Sequence, residues 1–262
     1  MQTIYLKPHG FQCLREGEVL LEEKRLSLDG ENHKLEQLTY DIPIIGTVYG
    51  TLLNYKDSYS KFKPLMYKRP YQSPPKAPIL YIKPINTHIA HQMPIPIPMG
   101  VETLEMGPTL GVVIGRQARK VAKKDAFNYI KGYIIVNDVR IPHEDFYRPA
   151  LKEIARDGFC PIGPWIVDRN SIENPNKLEI KVYINGELKL MNNTGNMIRD
   201  IPTLIEDVTE FMTLFEGDLL LTGIPGRAPL AKAGDNVRIE IEQIGVLENQ
   251  ILKAKEIWRE ER

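Results

Sequence analysis

Two short apolar runs constrain the fold of this 262-residue chain more than any other feature. Residues 110–114 (LGVVI) are rich in Val and too short for a helix, so they predict a buried strand. Residues 133–136 (YIIV) predict a second strand, which delivers Asn137 and Asp138 at its carboxyl end. Because loops that follow a rigid buried strand commonly carry binding residues, this polar pair marks a candidate ligand site.

Two helices are indicated by their end signals. Residues 125–131 predict a helix that begins at an aspartate cap and ends at Gly132. A second helix is predicted to open at Pro202 and to close at Gly217, because the apolar side chains within residues 204–215 fall on one helical face.

The remaining patterns predict strands and one long loop. Residues 79–83 predict a strand, and residues 178–184 and 187–191 flank Asn185-Gly186, which is the strongest short-range signal of a β-hairpin. Residues 58–78 are rich in Pro, Lys and Tyr without periodicity, and predict a loop that packs as a lid. Strands outnumber helices, so we predict a mainly β (α+β) architecture with a few covering helices.

Composition bounds the class of protein. Hydrophobic residues make up 42% and charged residues 26%, as in ordinary globular proteins, and 34 basic residues balance 34 acidic ones. We therefore expect neither nucleic acid nor membrane as a partner. Cys13 and Cys160 are far apart and predict reduced thiols in a cytoplasmic protein. We predict a small N-terminal unit, residues 1–43, before a main domain, residues 44–262.

Four strings in order carry a family resemblance: LGVVIGRQAR, GYIIVNDV, DGFCPIGPW and LLLTGIP. Together they resemble the fumarylacetoacetate hydrolase family over roughly residues 46–252. Within the family, NDVRIPHEDFYRP followed by RDGFCPIGPW resembles most the N-terminal half, or separate N-terminal subunit, of bifunctional decarboxylase/isomerases. The resemblance implies a roll of mixed β-sheets with the site in its open mouth.

The resemblance also implies a divalent cation, Mg²⁺ or Mn²⁺, that chelates a 2-oxo acid. In the family pattern a Glu-x-Glu pair before the VVIG string and the Asp of the ND pair hold this metal. Here Gly107 and Thr109 stand at the glutamate positions, so Asp138 alone remains. Hard cations take about six or more oxygen ligands, which makes binding doubtful. Glu102 and Glu105 lie upstream but point to opposite faces of a strand.

Substrate contacts are implied at Asn54, Thr222 and Gly223, which match the family's motifs. Arg156 lies inside a matched string and is a candidate clamp for a substrate carboxylate. The family's TGTP reads as TGIP here, so Ile224 takes the place of one hydroxyl.

The catalytic candidates are Asp138 and His143. Asp138 is either a residual ligand or base, or a turn carboxylate bonded to backbone, and His143 is either a replacement base or a surface histidine. Ser58 and Lys61 occupy the lid positions of the family's His and Glu, and Ile154 replaces a family lysine.

Two functional hypotheses follow. The first is a subunit of a decarboxylase/isomerase acting on unsaturated 2-oxo di- or tricarboxylic acids in 4-hydroxyphenylacetate breakdown. Its reactions would be 5-oxopent-3-ene-1,2,5-tricarboxylate decarboxylation and 2-hydroxyhepta-2,4-diene-1,7-dioate isomerisation. The second is a catalytically silent partner that pairs with an active homologue. Either hypothesis predicts a homodimer, or a heterodimer with a homologous subunit.

Overall fold

The computed structural model describes residues 1–69, 72–143 and 150–258. Strands dominate this part of the chain. In order they are β1 (Gln2–Pro8), β2 (Arg15–Leu20), β3 (Arg25–Leu28), β4 (Glu31–Lys34), β5 (Tyr40–Asp41), β6 (Val48–Leu52), β7 (Ile79–Lys83), β8 (His88–Ala90), β9 (Ile95–Ile97), β10 (Leu104–Glu105), β11 (Pro108–Ile114), β12 (Ile130–Asn137), β13 (Cys160–Asp168), β14 (Glu179–Ile184), β15 (Glu187–Asn193), β16 (Leu219–Leu221), β17 (Leu230–Ala231), β18 (Asn236–Ile241) and β19 (Gly245–Lys253).

The helices are few and short. The α-helices are α1 (Lys56–Met66), α2 (Leu151–Ile154), α3 (Ile201–Phe211) and α4 (Ala254–Ile257). Single 3-10 segments are Leu35–Gln37, Ile85–Thr87, Lys123–Tyr129, Arg169–Ser171 and Thr194–Asn196. The mainly β fold class predicted from the sequence is confirmed.

Twelve of the described strands form one large sheet. Its order is β4-β3-β2-β1-β13-β12-β11-β16-β6-β7, with β5 added to β1 and β8 added to β13. A five-stranded sheet has the order β15-β14-β18-β19-β9, and β10 pairs with β17. All seven residues of β11 are buried, because β12 and β16 flank it and its two faces lie in the two hydrophobic clusters of the core.

The first 43 residues continue the large sheet. β1 pairs antiparallel with β13, with Ile4 opposite Val167 and Leu6 opposite Trp165. Ile4 and Leu6 are fully buried in the same core cluster as the strands of the main sheet. The division of the chain at residue 43 stays a prediction.

The path of the chain after β7 brings distant strands together. β7 is at one end of the strand order, yet a 3-10 turn leads from it into β8, which pairs in parallel with β13. Since β13 also pairs with β12, the carboxyl end of β7 and the carboxyl end of β12 can approach each other.

Several predicted elements are confirmed. The buried runs form β11 and β12, and residues 79–83 form β7. The hairpin joins β14 to β15 through Asn185 and Gly186, whose φ angles of 52° and 81° belong to the left-handed region that this turn requires.

The predicted lid is partly wrong. Its first half is the helix α1, which buries only Met66 of its own residues. Tyr59, Phe62 and Met66 do recur at helical spacing and are its least exposed apolar side chains. Pro64 within the segment argued against a helix, because proline removes a backbone donor from the helix interior.

The predicted helix at residues 125–131 is wrong. Lys123–Tyr129 is a 3-10 segment, and β12 already begins at Ile130. Gly132 lies within β12, where an added Cβ would stand 2.1 Å from the carbonyl oxygen of Val167. This glycine therefore permits the close approach of β13 and does not end a helix.

The second predicted helix is present but shorter. Asp200 caps α3 by accepting a hydrogen bond from the Thr203 amide at 2.9 Å, and the helix ends at Phe211. Leu214, beyond it, is tied to Ala118 by backbone hydrogen bonds, so the chain leaves the helix before Gly217. Within the described ranges, no helix is long and apolar enough to cross a membrane.

Candidate functional site

The candidate site begins with the alternation of side chains along β7. Tyr81 and Lys83 are buried, whereas Ile82 between them is half exposed. Residues i and i+2 of a strand share a face, so the phenol and the ammonium group point together into the interior.

Asp138 meets both groups. It follows the last residue of β12 and is 2% exposed. Lys83 Nζ lies 2.8 Å from Asp138 Oδ1, and the Tyr81 hydroxyl donates a hydrogen bond to Oδ2. Each oxygen of the carboxylate thus has a partner from β7.

The ammonium group of Lys83 has three close oxygen neighbours. It donates to the carbonyl oxygen of Val139 at 3.1 Å and to that of Ile154 at 2.7 Å. Its third contact is the ion pair with Asp138, in which Oδ1 lies at 2.8 Å but accepts no hydrogen bond within the described part of the chain. The opposite charge and the two hydrogen bonds offset the cost of burying the ammonium, which would otherwise be very high.

Two glycines make room for this cluster. A Cβ added at Gly50 on β6 would lie 2.0 Å from Cζ of Tyr81, so the tyrosine ring lies directly over the backbone of that glycine. A Cβ added at Gly107 would lie 2.4 Å from the carbonyl oxygen of Asp138, whose amide donates to Gly107 at 2.8 Å. Larger residues at either position would displace the cluster.

The residues present do not fit the divalent cation that the family pattern implies. Thr109 is fully buried, and its hydroxyl faces the neighbouring carbonyl of Leu110 at 3.5 Å. The side-chain direction at Gly107 is filled by backbone. Asp138 Oδ2 accepts from Tyr81, and Oδ1, which accepts no hydrogen bond in the described part of the chain, lies against the Lys83 ammonium at 2.8 Å. Among the described residues, no group of three or more His, Cys, Asp and Glu could hold a metal.

The upstream glutamates do not supply the missing ligands. Glu105 pairs with Arg140, its Oε2 lying 3.3 Å from Nε. Glu102 lines a separate cavity of about 910 Å³, together with Arg156. The lining of this cavity does not include Asp138, and Arg156 Nε donates to the carbonyl of Lys152 at 2.7 Å.

Three of the predicted substrate residues lie close together, but their polar groups are used in buried hydrogen bonds within the chain. The side-chain amide of Asn54 donates to the carbonyls of Thr222 and Arg199 and accepts from the Arg199 amide. Thr222 donates through Oγ1 to the carbonyl of Leu110 at 3.0 Å. Gly223, with φ of 106°, passes close to Asn54. These groups hold the ends of β6, β11 and β16 together.

The helix α1 contacts Ile224, the residue that follows Gly223. Ser58 Oγ donates to the carbonyl oxygen of Ile224 at 3.1 Å, whereas Lys61 is exposed and lies over the Phe62 ring. His143 is half buried, and its Nδ1 has no hydrogen-bond partner in the described part of the chain. It is the last described residue before residues 144–149, which lie outside that part.

Burial fixes the protonation of two neighbouring groups. The pKa of Tyr81 is raised well above its usual value, chiefly by burial and then by the Asp138 carboxylate, so its hydroxyl remains a donor. Burial also raises the pKa of the Cys160 thiol to about 12. A thiol with this pKa is a packing residue and a poor nucleophile.

Comparison with known proteins identifies the family. The model described as fumarylacetoacetate (FAA) hydrolase C-terminal matches residues 47–252. The chain belongs to the fumarylacetoacetate hydrolase family. The resemblance drawn from the four strings is thereby confirmed over nearly the same residues.

Relatives of this family member include characterised enzymes. The 4-hydroxyphenylacetate degradation bifunctional isomerase/decarboxylase of Salmonella dublin is 37% identical over 232 residues, which are 88% of this chain and 52% of that protein. The chain therefore spans about half the length of this curated relative.

Two solved structures share the fold. The 2-hydroxyhepta-2,4-diene-1,7-dioate isomerase of Mycobacterium marinum is 27% identical with a TM-score of 0.75, covering 97% of this chain and 99% of its own. Maleylpyruvate hydrolase of Sphingobium sp. SYK-6, solved with manganese(II) and pyruvate, is 21% identical with a TM-score of 0.75 over 95% of this chain and 99% of its own. The latter likeness concerns the fold alone.

Sequence reasoning missed Tyr81 and Lys83. Both lie in a strand that was predicted correctly, and their i, i+2 spacing was visible. A lysine at the end of a strand is usually exposed, so only the tertiary fold reveals that this one is buried.

Proposed function

We propose that this chain is a subunit of an assembly that isomerises and decarboxylates unsaturated 2-oxo di- and tricarboxylic acids. The substrates we propose are 2-hydroxyhepta-2,4-diene-1,7-dioate and 5-oxopent-3-ene-1,2,5-tricarboxylate. The observation that carries the proposal is the match to about half the length of a bifunctional isomerase/decarboxylase. A chain that corresponds to half of such an enzyme is expected to pair with a homologous half.

Within the assembly, we assign to this chain the role of a partner that supports an active homologous subunit. This role is supported by the contacts of Asp138, whose carboxylate forms an ion pair with Lys83 and accepts a hydrogen bond from Tyr81. A general base must reach the proton that it removes, and a metal ligand needs a free oxygen. In this arrangement Oδ2 accepts from Tyr81 and Oδ1 lies against the Lys83 ammonium, so a proton or a cation would first have to displace a β7 side chain.

The test compares three preparations with both substrates: the chain alone, a homologous subunit that keeps the Glu-x-Glu pair, and the two expressed together. Loss of the dienol absorbance reports isomerisation, and released carbon dioxide reports decarboxylation. We expect the two proteins to copurify and the pair to turn over substrate faster than either alone. Failure to associate, together with no turnover in any preparation, would contradict the proposal.

A second candidate is an enzyme whose own site is active on the same acids. The observation that favours it is the half-buried His143, whose Nδ1 has no partner among the described residues. Removing a general base lowers rates by about 10²- to 10⁴-fold. His143→Ala in the assembled pair separates the roles: unchanged turnover supports a silent partner, and a loss of that size supports an active site in this chain.

A further inference from the structure

We infer that the Lys83 ammonium is the resident cation of this chain, standing where the family pattern implies a divalent metal, and that the chain is independent of divalent cations. The inference concerns Asp138 and its neighbours alone. It does not depend on which acids the assembly transforms.

The buried carboxylate of Asp138 has its counter-charge within the chain. Asp138 and Lys83 are 2% and 1% exposed, and their charged atoms lie 2.8 Å apart. A buried carboxylate requires a counter-charge, because its transfer out of water is strongly unfavourable when it is unpaired. Lys83 supplies that charge from within the chain.

Both oxygens of the Asp138 carboxylate are in contact with side chains of β7. Oδ1 lies 2.8 Å from Lys83 Nζ in an ion pair without a hydrogen bond, and Oδ2 accepts a hydrogen bond from Tyr81. The ammonium also donates to the carbonyls of Val139 and Ile154. An incoming cation would have to displace both β7 side chains from the carboxylate before it could bind.

Ile154 lies next to the Lys83 ammonium. This residue stands where the family pattern has a lysine, and its side chain carries no charge. Lys83 Nζ reaches the carbonyl oxygen of this residue at 2.7 Å. One ammonium, arriving from β7, is therefore placed beside both the position of the lost lysine and the surviving aspartate.

Two glycines leave the space that this arrangement needs. Gly50 leaves space for the ring of Tyr81, and Gly107 lets the Asp138 carbonyl approach where a glutamate side chain would begin. Restoring a glutamate at position 107 would collide with Asp138 and the side chain of Ile224. The backbone position of Asp138, which carries the ion pair, therefore excludes a glutamate side chain at position 107.

The experiment measures unfolding and cation binding, with no activity readout. Wild type, Lys83→Met, Asp138→Asn and the double variant are unfolded in urea with EDTA or with Mn²⁺, and Mn²⁺ binding is titrated calorimetrically. Lys189→Met is the matched control, because Lys189 pairs with Glu187 at 2.7 Å but both side chains are exposed.

We expect the wild type to bind no Mn²⁺ and to unfold at the same urea concentration in both conditions. Lys83→Met should lower the folding equilibrium constant by about a hundredfold or more, since it leaves a buried carboxylate unpaired. The double variant should recover part of this loss. Mn²⁺ should leave the urea midpoint of Lys83→Met unchanged, because one carboxylate supplies too few ligands for the cation. Lys189→Met should change little.

Stoichiometric binding of Mn²⁺ to the wild type, or stabilisation of the wild type by Mn²⁺, would overturn the inference. So would a Lys83→Met variant as stable as the Lys189→Met control. If Lys83→Met does not fold, a folded double variant supports the pair. If neither folds, the wild-type titration decides by itself, in either direction.

Discussion

At the scale of single residues, the site depends on where side chains are missing as much as on where they are present. Gly50 is the clearest case, because the ring of Tyr81 occupies the space that any other residue would need. Tyr81 is in turn one of the two partners of Asp138. A methyl group at position 50 should therefore displace the Tyr81 ring and disturb the ion-pair cluster, although the substitution changes no charged residue.

Gly50→Ala is predicted to destabilise the chain by about 1–3 kcal/mol, the usual cost of overpacking a rigid core, or more because the backbone of β6 cannot yield easily. Equilibrium unfolding in urea measures this change. The same substitution in a Tyr81→Ala background should cost much less, since the ring is then absent. Equal costs in both backgrounds would show that the ring and the glycine are not coupled.

Part of this site was predictable from residues and part was not. Asp138 could be placed because a polar pair follows a run that has to be buried. Lys83 lies 55 positions upstream, and no local pattern joins the two. The losses at Gly107 and Thr109 predicted that the metal site is incomplete, but the replacement of the cation by an ammonium required the folded chain.

At the scale of elements, the segment after β8 links the two larger sheets. His91 accepts a hydrogen bond at Nδ1 from the Glu248 amide on β19 at 3.1 Å, and its ring packs edge-on against Tyr40. Burial lowers the pKa of His91 to about 4, with the Glu248 carboxylate opposing the shift. The neutral ring is thus the form that joins β19 to the large sheet.

His91 is predicted to make stability depend on pH between about 6.5 and about 4. Above pH 6.5 the histidine is neutral in both the folded and the unfolded chain. As the pH falls from 6.5 towards 4, His91 becomes protonated in the unfolded chain but stays neutral in the folded chain. The free energy of unfolding then decreases by up to about 3 kcal/mol. His91→Asn, which keeps an acceptor near Nδ1, should flatten this part of the profile.

Unfolding curves at a series of pH values measure the effect, and the wild type minus His91→Asn difference isolates it from the carboxylates. His33→Asn on β4 serves as the control, because no hydrogen bond or ion pair joins the His33 side chain to another group in the described ranges. A difference that stays constant from pH 7 to pH 4 would contradict the assigned role of His91.

Elements were predictable where burial or turn chemistry dominates. β11 and β12 are continuous apolar runs, and the Asn185-Gly186 turn needs two left-handed residues in a row. The helix α1 was missed because Pro64 and the surrounding lysines and prolines are typical of a loop, which outweighed the helical spacing of Tyr59, Phe62 and Met66. Gly132 was misinterpreted because a glycine that allows close strand packing looks, in sequence, like one that ends a helix.

At the scale of the whole molecule, the large sheet runs without a break from the first strand to the candidate site. β1 lies beside β13, β13 lies beside β12, and Asp138 directly follows the last residue of β12. Tyr5 on β1 also donates to Asp168 at the end of β13, with 3.0 Å between Tyr5 OH and Oδ2. A unit joined in this way is expected to unfold together with the rest of the sheet.

Deletion of residues 1–43 is therefore predicted to lower the urea midpoint of the main domain and to promote aggregation. The deletion leaves the edge of β13 unpaired and exposes the apolar surface that Ile4 and Leu6 cover. Urea unfolding and light scattering measure both effects, and the intact chain should give one transition. A truncated chain that forms no aggregates and has an unchanged midpoint would establish residues 1–43 as an independent unit, since the rest of the sheet would then need nothing from β1.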